Sequence, residues 1–121
     1  MTKFFSGLLI GILGSVLILA AQQRPSEKVI PPQVIADNAQ VKIIRWLLKP
    51  GEGTPVHTHT LDHVSVVIHG STLRAFPTEG AAKDTTYTTG QALFDPGTGT
   101  THSFTNIGRE TFESIAIELK K

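Results

Sequence analysis

Hydrophobic and polar positions fall into two regimes along the chain. Phe4 to Ala21 (FFSGLLIGILGSVLILAA) is an uncharged run of 18 residues, preceded by Lys3. A short positive stretch before an apolar run is the pattern of an export signal. A run of about 18 residues also reaches the lower limit for a helix that spans a bilayer. Residues 1–21 are therefore expected to be a cleaved signal peptide or an uncleaved N-terminal membrane anchor. Ala20 and Ala21 are small enough for cleavage, but Ile18 and Leu19 occupy the positions where a small residue should precede them. Gly7 and Gly11 form a GxxxG pair that would suit the packing of two anchor helices, or simply the glycine content of a signal sequence.

Beyond Ala21 the pattern changes to short apolar or β-branched runs separated by turn residues. VKIIRWLLK (41–49) ends at Pro50-Gly51, HVSVVIH (63–69) at Gly70, and TLRAF (72–76) at Pro77. TTYTT (85–89) ends at Gly90, QALFD (91–95) at Pro96-Gly97, and HSFTN (102–106) shortly before Gly108. TFESIAIEL (111–119) closes the series. With a further strand around His57, this makes about seven or eight strands and no convincing helical period, the signature of an all-β sandwich or small barrel. Residues 22–35, with Pro25, Pro31 and Pro32, are expected to form a linker or arm. Residues 36–121 are expected to form one domain.

Charge and composition exclude several classes. Lys plus Arg (11) nearly balance Asp plus Glu (10), with no basic cluster, so nucleic acid is not an expected partner. The chain has no cysteine, which excludes a lipoprotein anchor and a disulfide framework. The fold must stand on its core, helped at most by a metal or a second copy.

The chemistry concentrates in PVHTHTLDHVSVVIHG (55–70), which holds four of the five histidines. Side chains at i and i+2 of a strand share a face, about 6.6–6.8 Å apart along it. His57 and His59 therefore form a pair, and a tight connection through Thr60-Leu61-Asp62 would fold His63 back beside them. His69 lies about 20 Å beyond His63 along a regular strand, so it is expected to be structural or solvent-facing. His102 opens another strand after PGTGTT. His57, His59, His63 and His102 can close around one divalent ion, since neutral imidazole is the commonest metal ligand. The alternative is a polar strand edge without metal. Phe104 and Asn106 share the face of His102, with Asn106 expected to turn its amide onto backbone at the strand end. Ser65 and Val67 continue inward below His63. Asp62 stands between ligands, either accepting a hydrogen bond from one of them or solvated. Trp46 is expected in the core or a dimer interface. Tyr87, Asp95 and Glu113 are possible acid–base groups, and no motif gives any of them a role.

Two spaced motifs carry a family resemblance. Gly51-x5-His57-x-His59-x3-His63-x6-Gly70 resembles the first motif of the cupin superfamily. Gly90-x5-Pro96 with Gly99-x2-His102-x3-Asn106 resembles the second. Together they span about residues 50–106. The resemblance implies a small double-stranded β-helix, or jelly-roll, barrel with a metal inside one end, commonly as a homodimer. It differs from the usual pattern at His63, where the family commonly has a glutamate, and so resembles the four-histidine subset of small cupins, some of which bind manganese. The stretch from Pro96 to His102 is also one residue longer than the common spacing.

The resemblance implies Mn or Fe as cofactor, whereas the affinity order on nitrogen ligands favours Cu, Ni or Zn. Four neutral ligands would leave the full 2+ charge on the site, which leads to the expectation of anionic or enolate-like substrates. The expected function is a metal-dependent oxidoreductase of the dioxygenase type acting on a small organic molecule. A non-catalytic binding module and a metal-dependent isomerase or lyase are the alternatives. The expected location is outside the cytoplasm, exported or held by the N-terminus.

Overall fold

A computed structural model describes residues 25, 26 and 28–121. The signal or anchor read over 1–21 lies outside the described residues, and among those residues no helix is long and apolar enough to cross a membrane. Nine strands are present among the described residues: β1 (Gln33–Asp37), β2 (Val41–Leu48), β3 (His57–His59), β4 (His63–His69), β5 (Thr72–Pro77), β6 (Lys83–Thr86), β7 (Ala92–Asp95), β8 (Thr100–Asn106) and β9 (Phe112–Leu119). They form a five-stranded sheet in the order β1-β2-β9-β4-β7 and a four-stranded sheet in the order β3-β8-β5-β6. Every strand pair is antiparallel.

Alternation decides which residues reach the space between the sheets. On β2 the inner face is Ile44, Trp46 and Leu48, in register with Ala116, Ser114 and Phe112 of β9. The next strand continues two of these rows: Ser65 of β4 opposes Ala116, and Val67 opposes Ser114. Leu48, Val67, Leu73 and Phe112 close one end as a buried cluster, with Leu48 fully inaccessible. Burying a side chain of this size stabilises the fold by about 1.5–3 kcal/mol.

Asn106 locks the same end. Its amide donates to the Leu48 (2.9 Å) and Glu110 (2.8 Å) carbonyls and accepts from Ser71 Oγ (2.8 Å) and the Gly108 amide (3.0 Å). All four hydrogen-bonding sites of the carboxamide are thus used, and the residue is completely buried.

Two boundaries differ from the sequence expectation. β1 begins at Gln33, inside the stretch read as arm, because its backbone pairs with β2 despite Pro31 and Pro32 before it. The stretch ahead of it is docked as well: the Ser26 amide donates to the Thr105 hydroxyl (3.0 Å), and Val29 bridges to Gly53. The strand expected over 85–89 runs instead over Lys83–Thr86. Its partner β5 pairs only that far, after which the Tyr87 amide bonds the Ser71 carbonyl and the Tyr87 ring joins the cavity wall.

Candidate metal centre

β3 is only three residues long, and its pairing with β8 puts His57 directly opposite His102. His59 projects from the same face as His57, two residues on. The three rings sit with centroids 4.8 Å apart in each pairing. One nitrogen from each lies within 4.8 Å of the others. His57 donates its Nδ1–H to the Pro55 carbonyl (2.8 Å), which leaves Nε2 free as an acceptor. His59 Nε2 and His102 Nε2 are 2.9 Å apart, one donating to the other's lone pair.

This group fits a divalent ion. Two nitrogens at about 2.1 Å from an ion and at a right angle to each other lie about 3 Å apart, the spacing of His59 and His102. Burial first, and the neighbouring imidazoles second, push His59 and His102 down to about 4. Burial also lowers His57. All three are therefore neutral near pH 7, the protonation state in which imidazole binds metal.

His63 stands outside this group of three. Its ring stacks on His59 with centroids 4.4 Å apart. Its Nε2 faces Asp95 Oδ2 at 3.5 Å. His69 is exposed and donates Nδ1–H to the Thr111 carbonyl (2.7 Å), at the opposite end of β4, as expected. Asp62 accepts its hydrogen bond from the Gly97 amide (2.8 Å) instead of from a ligand histidine. It ties the Pro96–Gly99 stretch to the β3–β4 connection. A Cβ on Gly97 would lie 2.6 Å from the Thr60 and Leu61 backbone, so glycine is required at that approach. Gly99 takes a left-handed φ of 80° and donates to the His59 carbonyl (2.8 Å). The longer spacing before His102 is thus absorbed in a loop fixed at both glycines.

The histidines open onto a cavity of about 290 Å³. Trp46, expected in the core or a dimer interface, is instead half-buried and lines this cavity with its ring 5.5 Å from that of His57, and Phe104 lies 4.4 Å from His102. Tyr87 and Asp95 also line it, whereas Glu113 lies on the outer face, paired to Arg45 at 3.0 Å. Sequence reading missed Glu118. It lies across β9 from His63, which has Asp95 on its other side. It shares the inward face of β9 with Phe112, Ser114 and Ala116, a face that hydropathy alone does not mark. Carboxylates from the two neighbouring strands thus flank His63.

No family model and no curated protein sequence matches the chain. Solved structures do. A cupin domain from Bordetella pertussis Tohama I is 30% identical over 81% of this chain and 97% of its own length, with a TM-score of 0.69. An RmlC-like cupin family protein with a double-stranded β-helix fold from Methanocaldococcus jannaschii shares 16% identity over 74% of this chain and 78% of its own, with a TM-score of 0.61. An uncharacterised protein with a double-stranded β-helix domain from Klebsiella pneumoniae shares 21% identity over 79% and 81%, with a TM-score of 0.56. The latter two likenesses speak for the fold alone. The nine-stranded barrel, its histidine cluster and the Bordetella relative agree: the chain belongs to the cupin superfamily.

Proposed function

We propose that this cupin is a metal-dependent oxidoreductase of the dioxygenase type, acting on a small organic molecule. One divalent ion would be held by His57, His59 and His102, with His63 as the fourth ligand. The observation that carries the reading is the convergence of three neutral imidazoles, from two paired strands, at the wall of an apolar cavity. By resemblance the ion is manganese or iron. When bound, it would polarise and orient an oxygen-bearing ligand. The protein's own part is to keep the nitrogens unprotonated, to fix the His57 ring through Pro55 and to surround the ligand with Trp46, Leu93 and Phe104.

Metal analysis of the full chain purified without a polyhistidine tag tests the site. One equivalent of a divalent metal is expected, lost in the His57→Ala/His59→Ala variant. No stoichiometric metal would overturn the reading. Oxygen uptake by the loaded chain with enols, catechols and diketones tests the activity. Tight retention of one such ligand without oxygen uptake would make the protein a binding module.

Two further readings belong here. The outer face of the five-stranded sheet carries Val64, Val66, Phe94, Ile115, Ile117 and Leu119 side by side, and Phe94 is 61% exposed. That face supports a homodimer, which light scattering of wild type and Ile117→Glu would test, a monomeric wild type counting against it. The uncharged run at 4–21 supports export or anchoring, and fractionation of expressing cells, with the mass of the recovered chain, distinguishes release from retention.

A further inference from the structure

The cavity that would hold the ligand carries charge of one sign only. Of its lining residues, Asp95 and Glu118 bear carboxylates, and among the described residues no lysine or arginine lines it. The two acids come from different strands. β7 places Asp95, and β9 places Glu118, on either side of His63 in one row across the sheet. Side chains directly opposite on neighbouring antiparallel strands lie about 4.5–5.5 Å apart at Cβ, so both acids look into the rim from within a strand width of the histidines. Lys42, in register with Glu118 on β2, does not line the cavity and forms no ion pair with Glu118 among the described residues. Asp95 is mostly exposed, and among the described residues His63 is its ionic partner.

A second observation points to a ligand rather than to a chance pair of acids. Ser114 is 5% exposed and lines the cavity, yet its hydroxyl has no hydrogen-bond partner among the described residues. Ser65 and Tyr87 line the same space. The Tyr87 ring packs on Phe112 at 5.7 Å. Burial, with the Asp95 charge second, raises Tyr87 above its ordinary value, so it stays a neutral donor. Few and uncharged polar groups set in apolar walls are how small-molecule sites fix orientation.

We propose that Asp95 and Glu118 are specificity-determining residues that turn anions away from this cavity and reserve it for compact uncharged molecules. Three neutral imidazoles and two carboxylates sum to 2−, which a divalent ion brings to zero. An anionic ligand would then add charge between two carboxylates in a cleft with low-dielectric walls, where fields are focused. An uncharged hydroxyl- or carbonyl-bearing molecule meets no such barrier. The charge-balance step rests on the metal reading given above; the exclusion of anions by the two acids does not.

Trp46 is the chain's only tryptophan and lines the cavity, so its emission reports on what enters. The probes are acrylamide, uncharged, and iodide, an anion, at fixed ionic strength because screening weakens such fields. In the full-length wild type, the ratio of iodide to acrylamide quenching should fall about tenfold below that of free N-acetyltryptophanamide. In Asp95→Asn/Glu118→Gln the ratio should return towards the free value, with acrylamide quenching unchanged. An equal ratio in wild type and double variant overturns the proposal, as does a lower acrylamide quenching in the variant that accounts for the change. Titration of the same samples with Co²⁺, read by Trp46 quenching, separates the two readings. Cobalt binding without anion discrimination refutes this inference and leaves the metal site standing. Discrimination without cobalt binding does the reverse.

Discussion

The two walls of the cavity are made differently. The wall of β3 and β8 presents nitrogen donors and aromatic rings: His57, His59, His102 and Phe104. The wall of β4, β7 and β9 presents carboxylates and hydroxyls: Asp95 and Glu118 at the rim, Ser65 and Ser114 within. The first wall is rigid because its short strand is paired residue for residue and its first ring is tied to Pro55. The second wall is a row of side chains on a wide sheet, with Asp95 reaching solvent. The difference teaches that donor geometry and net charge can be set by separate strands of one barrel. Each can then be altered alone. His63 sits where the walls meet, stacked on His59 and facing Asp95.

The largest expected effect comes from breaking the nitrogen wall. His57→Ala/His59→Ala, or His102→Ala, should abolish Co²⁺-dependent quenching of Trp46. Asp95→Asn and Glu118→Gln should each keep cobalt binding and weaken it by about tenfold or less, the lower end of what groups beyond the ligands contribute. Calorimetric titration checks both. Equal losses from the two walls would end the division of labour.

Next is the closed end that holds the two walls in register. Asn106→Ala removes a carboxamide whose four partners are backbone and one serine. Leaving the buried Leu48 carbonyl without a donor, together with the other lost bonds, should cost about 3–4 kcal/mol. A urea unfolding curve reads this as a lower midpoint with unchanged slope. A change below about 1 kcal/mol would mean that water replaces the amide without penalty.

Asn106 was legible in the sequence, as was the cupin fold, because spaced histidines and glycines mark turns and strand starts. β9 was harder. Ile115, Ile117 and Leu119 look like its core face, yet Phe112, Ser114, Ala116 and Glu118 point inward. A strand that lines a functional cavity has a polar inner face, so hydropathy alternation there gives the wrong side. Glu118 was missed for that reason. Trp46 could not be placed from its own strand either, since both faces of VKIIRWLL are apolar and only pairing with β9 decides between them. β1 was hidden by the prolines ahead of it and by side chains left mostly exposed at a sheet edge. The orientation of Asp62 depends on Gly97, 35 residues away, which no local pattern encodes.

The nitrogen wall also gives the metal-free protein a pH dependence. Burial, then neighbouring imidazoles, holds His59 and His102 at about 4, against an ordinary value of 6.5. Between those values the unfolded chain binds more protons than the folded one. Stability should therefore decline as pH falls from about 6.5 to about 4 and level off below that. The midpoint of urea unfolding in the presence of a chelator, followed across this window, checks the slope. His59→Gln/His102→Gln should flatten it. A midpoint that rises on acidification would contradict the buried neutral state of these rings.

The smallest effect tests the link between the walls at the rim. Asp62 accepts from the Gly97 amide at 2.8 Å and so ties the loop ahead of β8 to the connection between β3 and β4. Asp62→Ala should cost about 1 kcal/mol, the net value of one hydrogen bond to a partly solvated group. The Gly97 close approach to Thr60 and Leu61 remains in the variant, so the loop keeps its course and only its fluctuation grows. Amide exchange at Gly97 and Gly99 should accelerate, while exchange at Leu48 and Val67, buried at the other end, should follow the global stability alone. Cobalt affinity should fall only slightly, since His102 stays paired with His57. A loss of metal binding as large as that from His102→Ala would show that the loop, rather than the paired strands, sets the donor geometry.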